Sequence, residues 1–354
     1  MKIINIQGAS LKFLLSFSLV FLIAEENFAQ GLFSKKNKLN QYSSISIGGG
    51  TSHYFGELSS YKYFYYGVIT NVRWNATINY TRQLSPQVAA RVGFTWARIA
   101  GDDYTYSQRN LEKFWQLYLR NLHFRNDVKE FSITGLFNLL PQYGKGPQGR
   151  RSVMPYALLG LGFYGHNPQA RDVAQVDPVT GKVTLGAWTS LKDKQTSGQG
   201  INDVYPKSYS LIQPVFPIGL GLKVKLNEKF DLNFEAGLRI TPFDYLDDVG
   251  GTAYANPADL SPISPLGVIF ANRAGENIAA ATGKDRTQQF ADIAIKYLNA
   301  PSSPTPTPSA NGTSFVGFSQ NSRRGTGMWD SYVVSQITIS YIIGGNNIKC
   351  PPIK

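Results

Sequence analysis

The chain has 354 residues and a formal net charge of +12, and 16% of its residues are charged while 13% are aromatic. Few charges together with many aromatic residues exclude an intrinsically disordered protein and a coiled coil, because both are rich in charge and poor in aromatics. The single cysteine, Cys350, excludes an intramolecular disulfide framework and a zinc site built from CxxC pairs.

The first 29 residues have the pattern of an export signal. Lys2 and Lys12 provide a basic start, residues 13–24 form an apolar run, and the small Ala29 suits a cleavage position. The run is too short to span a bilayer, so a membrane anchor is not expected. We therefore predict a signal peptide over 1–29, with a buried helix as the alternative.

The rest of the chain alternates with a period of two residues. No later segment reaches 18 consecutive apolar residues, which excludes transmembrane helices and leaves a closed β-barrel as the way to cross a membrane. The clearest strands are 212–226 and 230–240, joined by a short turn at 227–229. Each has apolar residues on one parity and small or charged residues on the other. Similar runs predict an antiparallel transmembrane β-barrel of about eight strands.

The two faces of these strands differ in composition. One is continuously apolar and has aromatic residues near the strand ends, as a lipid-facing surface does; they are Trp74, Trp96, Phe163, Phe230 and Tyr341. The other face mixes small residues with charges of both signs, and eight strands enclose a space that side chains just fill. We predict a polar lumen with a charge network of Arg91, Glu130, Lys223, Lys225, Asp231, Glu235 and Arg239. The alternative is a soluble β-sandwich or a lipocalin-like barrel.

Short and long connections alternate along the chain. The short turns lie at 84–87, 141–152 and 227–229, and the long loops at 55–72, 99–127, 165–208 and 242–328. In bacterial outer-membrane barrels the short turns face the periplasm and the long loops face outward. We therefore predict a protein of the bacterial outer membrane with three parts after the signal peptide: a periplasmic arm (30–42), the barrel (43–343, with a loop insertion at 254–328) and a periplasmic tail (344–354).

The insertion contains one possible extracellular helix. Residues 285–300 have apolar side chains at helical spacing, and a Pro/Ser/Thr stretch follows at 301–309. Three roles stay open for this helix: a lid on the barrel mouth, a partner-binding element, or a helix that packs on the apolar residues of its own loop.

Several segments, in their order and spacing, resemble a known family. They include SHYFGELSS (52–60), RNLHFRNDVKEFSI (120–133), PYALLGLGFYGHNPQA (155–170), TPFDYLDDVGG (241–251) and WDSYVVSQITISY (329–341). They resemble the PorG-like outer-membrane β-barrels of Bacteroidetes, which are associated with the type IX (Por) secretion system, over about 43 to 345. The resemblance implies a non-enzymatic component that anchors or connects periplasmic ring components to the outer membrane. The stretch 254–328 is the least similar part.

Basic residues are predicted on the periplasmic side, where they can meet acidic partner proteins. The candidate docking residues are Lys35, Lys36, Lys38, Arg150, Arg151 and Cys350. The expected partners are the periplasmic ring proteins of the type IX system, together with outer-membrane lipids and lipopolysaccharide. Nucleic acid is not an expected partner, because export removes it and no nucleic-acid motif is present.

A second group of candidate residues is predicted at the extracellular mouth: Asp102, Asp103, His166, Asp247 and Asp248. The histidines lack HExxH or a similar ligand spacing, so we expect no catalysis, no cofactor and no metal. Three alternatives stay open. The aspartate pairs could bind Ca²⁺, His166 could serve a hydrolase at the barrel rim, and the long loops could bind a cell-surface ligand or a small solute.

Overall fold

The computed structural model describes residues 42–59, 63–140, 146–251, 253–298, 324–325 and 327–343. Eight long strands form one antiparallel barrel: β1 Tyr42–Phe55, β2 Arg73–Gln83, β3 Val88–Asp102, β4 His123–Asn138, β5 Val153–Gly165, β6 Ile212–Lys225, β7 Phe230–Ile240 and β8 Ser331–Ile343. Each strand pairs with its neighbours in the sequence, and β1 also pairs with β8, which closes the barrel. The predicted fold class is confirmed.

The outward face of the barrel is a continuous apolar band. Ile47 and Leu220 are 66% and 65% exposed, whereas the residues that alternate with the outward ones along β1, β3 and β4 are mostly buried. Such a band around a whole barrel is far larger than the apolar patches of soluble monomers, and it suits the hydrocarbon of a bilayer. The soluble alternative, which needs its apolar residues inside, is excluded.

Aromatic side chains form a girdle at each end of this band. Trp74, Trp96 and Phe163 lie towards the outer ends of their strands, and Phe230 and Tyr341 lie towards the opposite ends. Trp74 packs edge-on against Trp96, and Phe230 packs against Tyr341, with ring centroids 5.2 Å and 5.4 Å apart. Aromatic rings of this kind mark the two membrane–water interfaces.

Glycines permit a close approach where the barrel closes. A Cβ atom on Gly48 or Gly50 of β1 would collide with the carbonyl oxygens of Ile337 and Ser335 on β8. Only glycine lets the two backbones approach this closely. The Gly48–Gly50 run is therefore part of the closure.

Two strands extend beyond the bilayer on the outer side. β3 and β4 have 15 and 16 residues, more than the ~9–11 that a transmembrane strand needs. Their pairing continues until Asp102 lies opposite His123, so the loop predicted at 99–127 is wrong in its bounds and spans only 103–122. The apolar alternation stops near Trp96 because it reports contact with lipid, whereas backbone pairing continues above the membrane.

The outer loops of the described ranges contain six helices: α1 Phe64–Thr70, α2 Asp103–Ser107, α3 Leu111–Arg120, α4 Pro257–Leu260, α5 Pro265–Ala271 and α6 Thr287–Leu298. α6 corresponds to the helix predicted at 285–300, and the structure adds the five others. In the described part of the chain, none of the helices combines the length and the apolar character that a membrane span requires.

α6 packs on a neighbouring loop and thereby helps to cover the outer end of the barrel. Its Phe290 and Ile293 are buried in one cluster with Tyr118 and Leu119 of α3. The largest apolar cluster lies beneath, where Tyr54, Ile99, Phe124 and Tyr332 from the strands meet Leu246 and Phe270 from the loops. We call the described parts of the four outer loops the outer cap; they span 56–72, 103–122, 166–211 and 241–330.

Candidate functional site

Two ion pairs cross the lumen of the barrel. Arg91 on β3 lies 2.7 Å from Glu235 on β7, and Arg239 on β7 lies 3.2 Å from Glu130 on β4. β3 and β7 are four strands apart in a ring of eight, so the first pair joins opposite walls. All four side chains are buried or nearly so.

The carboxylates of Glu235 and Glu130 also accept hydrogen bonds from uncharged side chains. Tyr156 Oη and Gln336 Nε2 donate to Glu235 at 2.8 Å and 2.9 Å, and Tyr332 Oη donates to Glu130 at 2.8 Å. A buried charge is tolerated when an opposite charge and further hydrogen bonds replace its lost hydration. Side chains from opposite walls therefore meet across the lumen in a hydrogen-bonded core.

The other members of the predicted lumen network lie near its periplasmic end. Asp231 accepts a hydrogen bond from Arg150 at 3.2 Å. Lys225 lies opposite Asp231 in the β6–β7 register, and Lys223 Nζ lies 5.9 Å from the centre of the Tyr156 ring. Neither lysine takes part in the ion pairs found among the described residues.

The buried side chain of Arg150 connects the turn before β5 with the turn between β6 and β7. Its guanidinium donates to Asp231 and to the backbone carbonyls of Pro147, Asn227 and Glu228. The side chain is 3% exposed, so it is not available as a docking group without breaking these bonds. Its neighbour Arg151 is partly exposed. The other candidate docking residues, Lys35, Lys36, Lys38 and Cys350, lie outside the described residues.

Buried arginines join the loops of the outer cap. Arg120 forms a two-point ion pair with Asp103, with Nε and Nη2 at 2.7 Å and 2.8 Å from its carboxylate oxygens. The same guanidinium donates to the backbone carbonyls of Glu57 and Arg324. One side chain of the second loop therefore links it to the first and the fourth.

A second arginine links the third loop to the fourth. Arg324 donates to Ser197 Oγ at 2.7 Å and to the carbonyl oxygens of Asp248 and Ala271. The carboxylate of Asp248 in turn accepts a hydrogen bond from Tyr209 at 2.7 Å. All four outer loops thus belong to one connected assembly.

The predicted mouth residues occupy separate contacts within this cap. Asp102 accepts a hydrogen bond from the backbone of Thr105 and caps α2. The carboxylate of Asp103 binds Arg120, and the backbone carbonyl of Asp248 accepts a hydrogen bond from Arg324. The ring of His166 lies 3.2 Å from the side-chain amide of Asn126 and 3.3 Å from the carbonyl of Ser210. Burial lowers the pKa of His166 to about 4, so its imidazole is neutral at physiological pH.

Asp247 lies in an acidic cluster that the sequence did not reveal. Carboxylate oxygens of Glu57, Asp247 and Asp330 all lie within 4.8 Å of one another, and all three residues are buried. Glu57 follows β1 and Asp330 precedes β8, and Phe55 lies opposite Ser331 in that pairing. The register of the closing strands was the signal that could have brought these residues together. Three carboxylates are also a ligand set that suits a hard cation such as Ca²⁺.

The geometry around Tyr54 indicates that the cluster holds protons. Tyr54 Oη lies 2.7 Å from Asp247 and 2.6 Å from Asp330. A phenol has one proton to donate, so both short contacts are hydrogen bonds only when one carboxyl is protonated. Burial, and then the charge of the neighbouring carboxylates, raises the pKa of Asp247 and Asp330 well above the usual range.

We expect the stability of the outer cap to fall as the pH rises above about 4, the unfolded pKa of an aspartate. Aspartates of the unfolded chain titrate at about pH 4, whereas Asp247 and Asp330 keep their protons to much higher pH in the cap because their pKa is raised. The folded cap then binds more protons than the open one, and its stability declines until the folded pKa is passed. His166 acts in the opposite sense between about pH 4 and 6.5, because its pKa is lowered in the cap, but it offsets at most one of the two carboxyls.

Hydrogen exchange tests this expectation. Protection factors of amides in α3 and the cap loops should fall by up to about tenfold per pH unit for each carboxyl that stays protonated, after correction for intrinsic exchange. Amides in the middle of β7 are the internal reference and should not change. Protection that is constant or that rises over this range would contradict a raised pKa of the two carboxyls in the folded cap.

Comparison with known proteins adds solved structures with little sequence identity. No protein-family model matches the sequence, and no curated protein is significantly similar to it. The chain is similar to Ail, the attachment invasion locus protein of Yersinia pestis, solved in complex with the heparin analogue sucrose octasulfate; identity is 10%, the TM-score is 0.32, and 86% of this chain and 99% of that chain are covered.

Two further solved structures are similar to this chain at comparably low sequence identity. Neisserial surface protein A is 9% identical with a TM-score of 0.31, over 84% of this chain and 95% of that one. OprG from Pseudomonas aeruginosa is 7% identical with a TM-score of 0.27, over 86% and 95%. Similarity this low carries no functional argument, and the strand pairing itself establishes the barrel. With its closed ring of strands, apolar outer band and two aromatic girdles, the chain is an eight-stranded β-barrel protein of the bacterial outer membrane.

Proposed function

We propose that this protein is a non-enzymatic component of the type IX protein secretion system that anchors or connects periplasmic ring components to the outer membrane. One observation carries the anchoring part of this proposal: the ion pairs Arg91–Glu235 and Arg239–Glu130 occupy the lumen. A barrel filled in this way is a rigid body in the membrane, which suits an anchor better than a conduit. The assignment to the type IX system rests on the sequence resemblance.

The outer mouth supports a role without catalysis. A hydrolase of the histidine type needs a nucleophile that is hydrogen-bonded to the imidazole. His166 instead contacts an asparagine amide and a backbone carbonyl. Its low pKa follows from burial, not from a partner that would activate it as a base.

A charge-reversal experiment tests docking on the periplasmic side. Lys35→Glu, Lys36→Glu and Lys38→Glu together, with or without Arg151→Glu, should reduce the co-purification of periplasmic ring proteins at least tenfold and impair secretion, because acidic partners would then be repelled. Arg150 is left unchanged, since it holds two turns together. The measurement is a pull-down from gently solubilised outer membranes, with a tag inserted in 301–309.

The matched control reverses charges on the other side of the membrane. Lys182, Lys207 and Lys284 are exposed in the outer loops, and changing all three to Glu should leave co-purification and secretion as in the wild type. Normal secretion in a deletion strain, together with a barrel that purifies alone, would contradict the docking role.

The second candidate function is a cell-surface barrel that binds a ligand or a small solute through its outer loops. The observation that favours it is the connected outer cap, whose four loops are held by Arg120 and Arg324. Shortening the chain over 285–310 does not separate the two functions cleanly, because α6 packs on α3. Removing residues 301–309 alone is the better test, and loss of surface binding with intact secretion would favour this candidate.

A further inference from the structure

At the outer end of the barrel, outward-facing charged side chains are confined to one sector. Near the outer ends of the eight strands, the outward-facing charged residues that are at least partly exposed are Arg98, Arg125, Asp127 and Lys129. All four lie on the neighbouring strands β3 and β4. The outward positions of β5 to β8 carry no charge along their whole length.

These side chains form one group because of the β3–β4 register. Arg98 lies opposite Asp127, and Trp96 lies opposite Lys129. Arg98 binds Asp127 at two points, 2.6 Å and 2.8 Å, and its guanidinium lies 5.5 Å from the Trp74 ring centre. The cations therefore begin directly beyond the tryptophans of the outer girdle.

The third loop extends the same group. Residues 169–171 pair with β4 through Arg125 and Gln169, which places Arg171 beside the strand. The guanidinium carbons of Arg125 and Arg171 lie 4.1 Å and 4.7 Å from the ring centre of Trp188. We call Arg98, Arg125, Asp127, Lys129 and Arg171, with the tryptophans they contact, the basic sector. It has four cations against one carboxylate.

We propose that the basic sector binds the phosphorylated headgroup of an outer-leaflet glycolipid, lipopolysaccharide. Its place beyond the girdle is the depth at which headgroups lie, and arginine matches the geometry of phosphate oxygens. Lysine and arginine near a membrane surface attract anionic lipid. Phe94 and Phe131, paired on the wall below, offer an apolar surface for the acyl chains.

The arrangement indicates a site and not only an anchoring belt. Cations that merely hold a barrel at the interface would be distributed around its circumference. Here they lie on two neighbouring strands and the loop strand beside them, while β5 to β8 have none. Only Arg98 has its charge matched by a carboxylate within the sector, so Arg125, Lys129 and Arg171 leave an excess of positive charge for an anion.

The test compares two lipids and two variants. The wild type and Arg125→Gln/Lys129→Gln are placed in phosphatidylcholine nanodiscs and titrated with bisphosphorylated lipid A or with lipid A stripped of phosphate. Each cation removed should weaken binding of the phosphorylated lipid about fivefold, so about 25-fold for the pair. Lys182→Gln/Lys207→Gln, which removes two exposed cations from the outer loops, should bind like the wild type.

Several outcomes would overturn the proposal. They are equal binding by the wild type and the double variant, equal binding of the two lipids, or co-purification of an acidic protein at this surface without glycolipid. Folding is checked by the mobility shift on heating in detergent. Should the double variant misfold, Lys129→Gln alone serves: this exposed side chain lies 6.0 Å from the Trp96 ring centre and forms no ion pair among the described residues, so the variant should fold and still lose about fivefold.

Discussion

Replacing Glu235 with glutamine should lower the free energy of unfolding of the barrel by about 3–5 kcal/mol, because it leaves the buried guanidinium of Arg91 without its opposite charge. Tyr156 and Gln336 donate to different carboxylate oxygens and glutamine keeps only one acceptor, so the loss includes one of these hydrogen bonds besides the charge. Urea unfolding in detergent micelles, followed by tryptophan fluorescence, measures the effect.

A double variant distinguishes this explanation from a general loss of packing. Adding Arg91→Met to Glu235→Gln removes the unpaired charge and should recover most of the lost stability. Asp127→Asn, which breaks the partly exposed pair with Arg98, is the matched control and should cost less than about 1 kcal/mol. If the effects of Arg91→Met and Glu235→Gln simply add, the two residues are not coupled and the lumen core is not organised by this pair.

The second large effect is expected in the outer cap. Arg120→Met should lower the free energy of opening the cap by about 3–5 kcal/mol, since it leaves Asp103 buried without its partner. It also removes the donors to the carbonyls of Glu57 and Arg324. The strands of the barrel keep their own hydrogen bonds, so resistance to global unfolding should change little. Hydrogen exchange of α3 and α6, compared with that of β6 and β7, measures the two separately.

The control for this prediction is an exposed ion pair of the same cap. Lys296 and Glu112 join α6 to α3 at 3.0 Å, with side chains 57% and 82% exposed, and Lys296→Gln should have no measurable effect. Arg120→Met/Asp103→Asn should recover part of the lost protection. If β6 and β7 lose protection together with the cap, then the cap and the barrel form one cooperative unit.

The Arg120 variant also bears on function. An anchor that docks through its periplasmic turns should tolerate a loosened cap, because cap and turns lie at opposite ends of the barrel. A cell-surface binder should lose its ligand. Measuring secretion and surface binding with the same variant therefore separates the two candidate functions without deleting any part of the chain.

The membrane-spanning strands could be predicted because each residue contacts one of two very different surroundings. Ile218, Leu220 and Leu222 face lipid, while Gly219, Gly221 and Lys223 face the lumen, and this contrast repeats every second residue. The sequence does not predict strands beyond the point where this contrast ends. Residues 99–102 and 123–127 continue the β3–β4 pairing above the bilayer, yet they were assigned to a loop.

Which charged residues of the lumen pair with one another could be recognised only in the closed barrel. Arg91 and Glu235 are 144 residues apart and meet across four strands. Their contact depends on strand register and on closure, which no local pattern encodes. Arg150 shows the same limit: its sequence position suggested an exposed periplasmic cation, and only the approach of the turn at 226–229 revealed a buried link between two turns.

The sequence by itself therefore determined the barrel, its two faces and the presence of charge in its lumen, because these follow from composition and from a period that the bilayer imposes on every strand. The tertiary structure alone decided which charges pair, how Glu57 and Asp330 come together at the closing strands, and that cations gather on one sector of the outer rim. These features arise from contacts between residues far apart in the chain, whose distances are set only once the eight strands have closed.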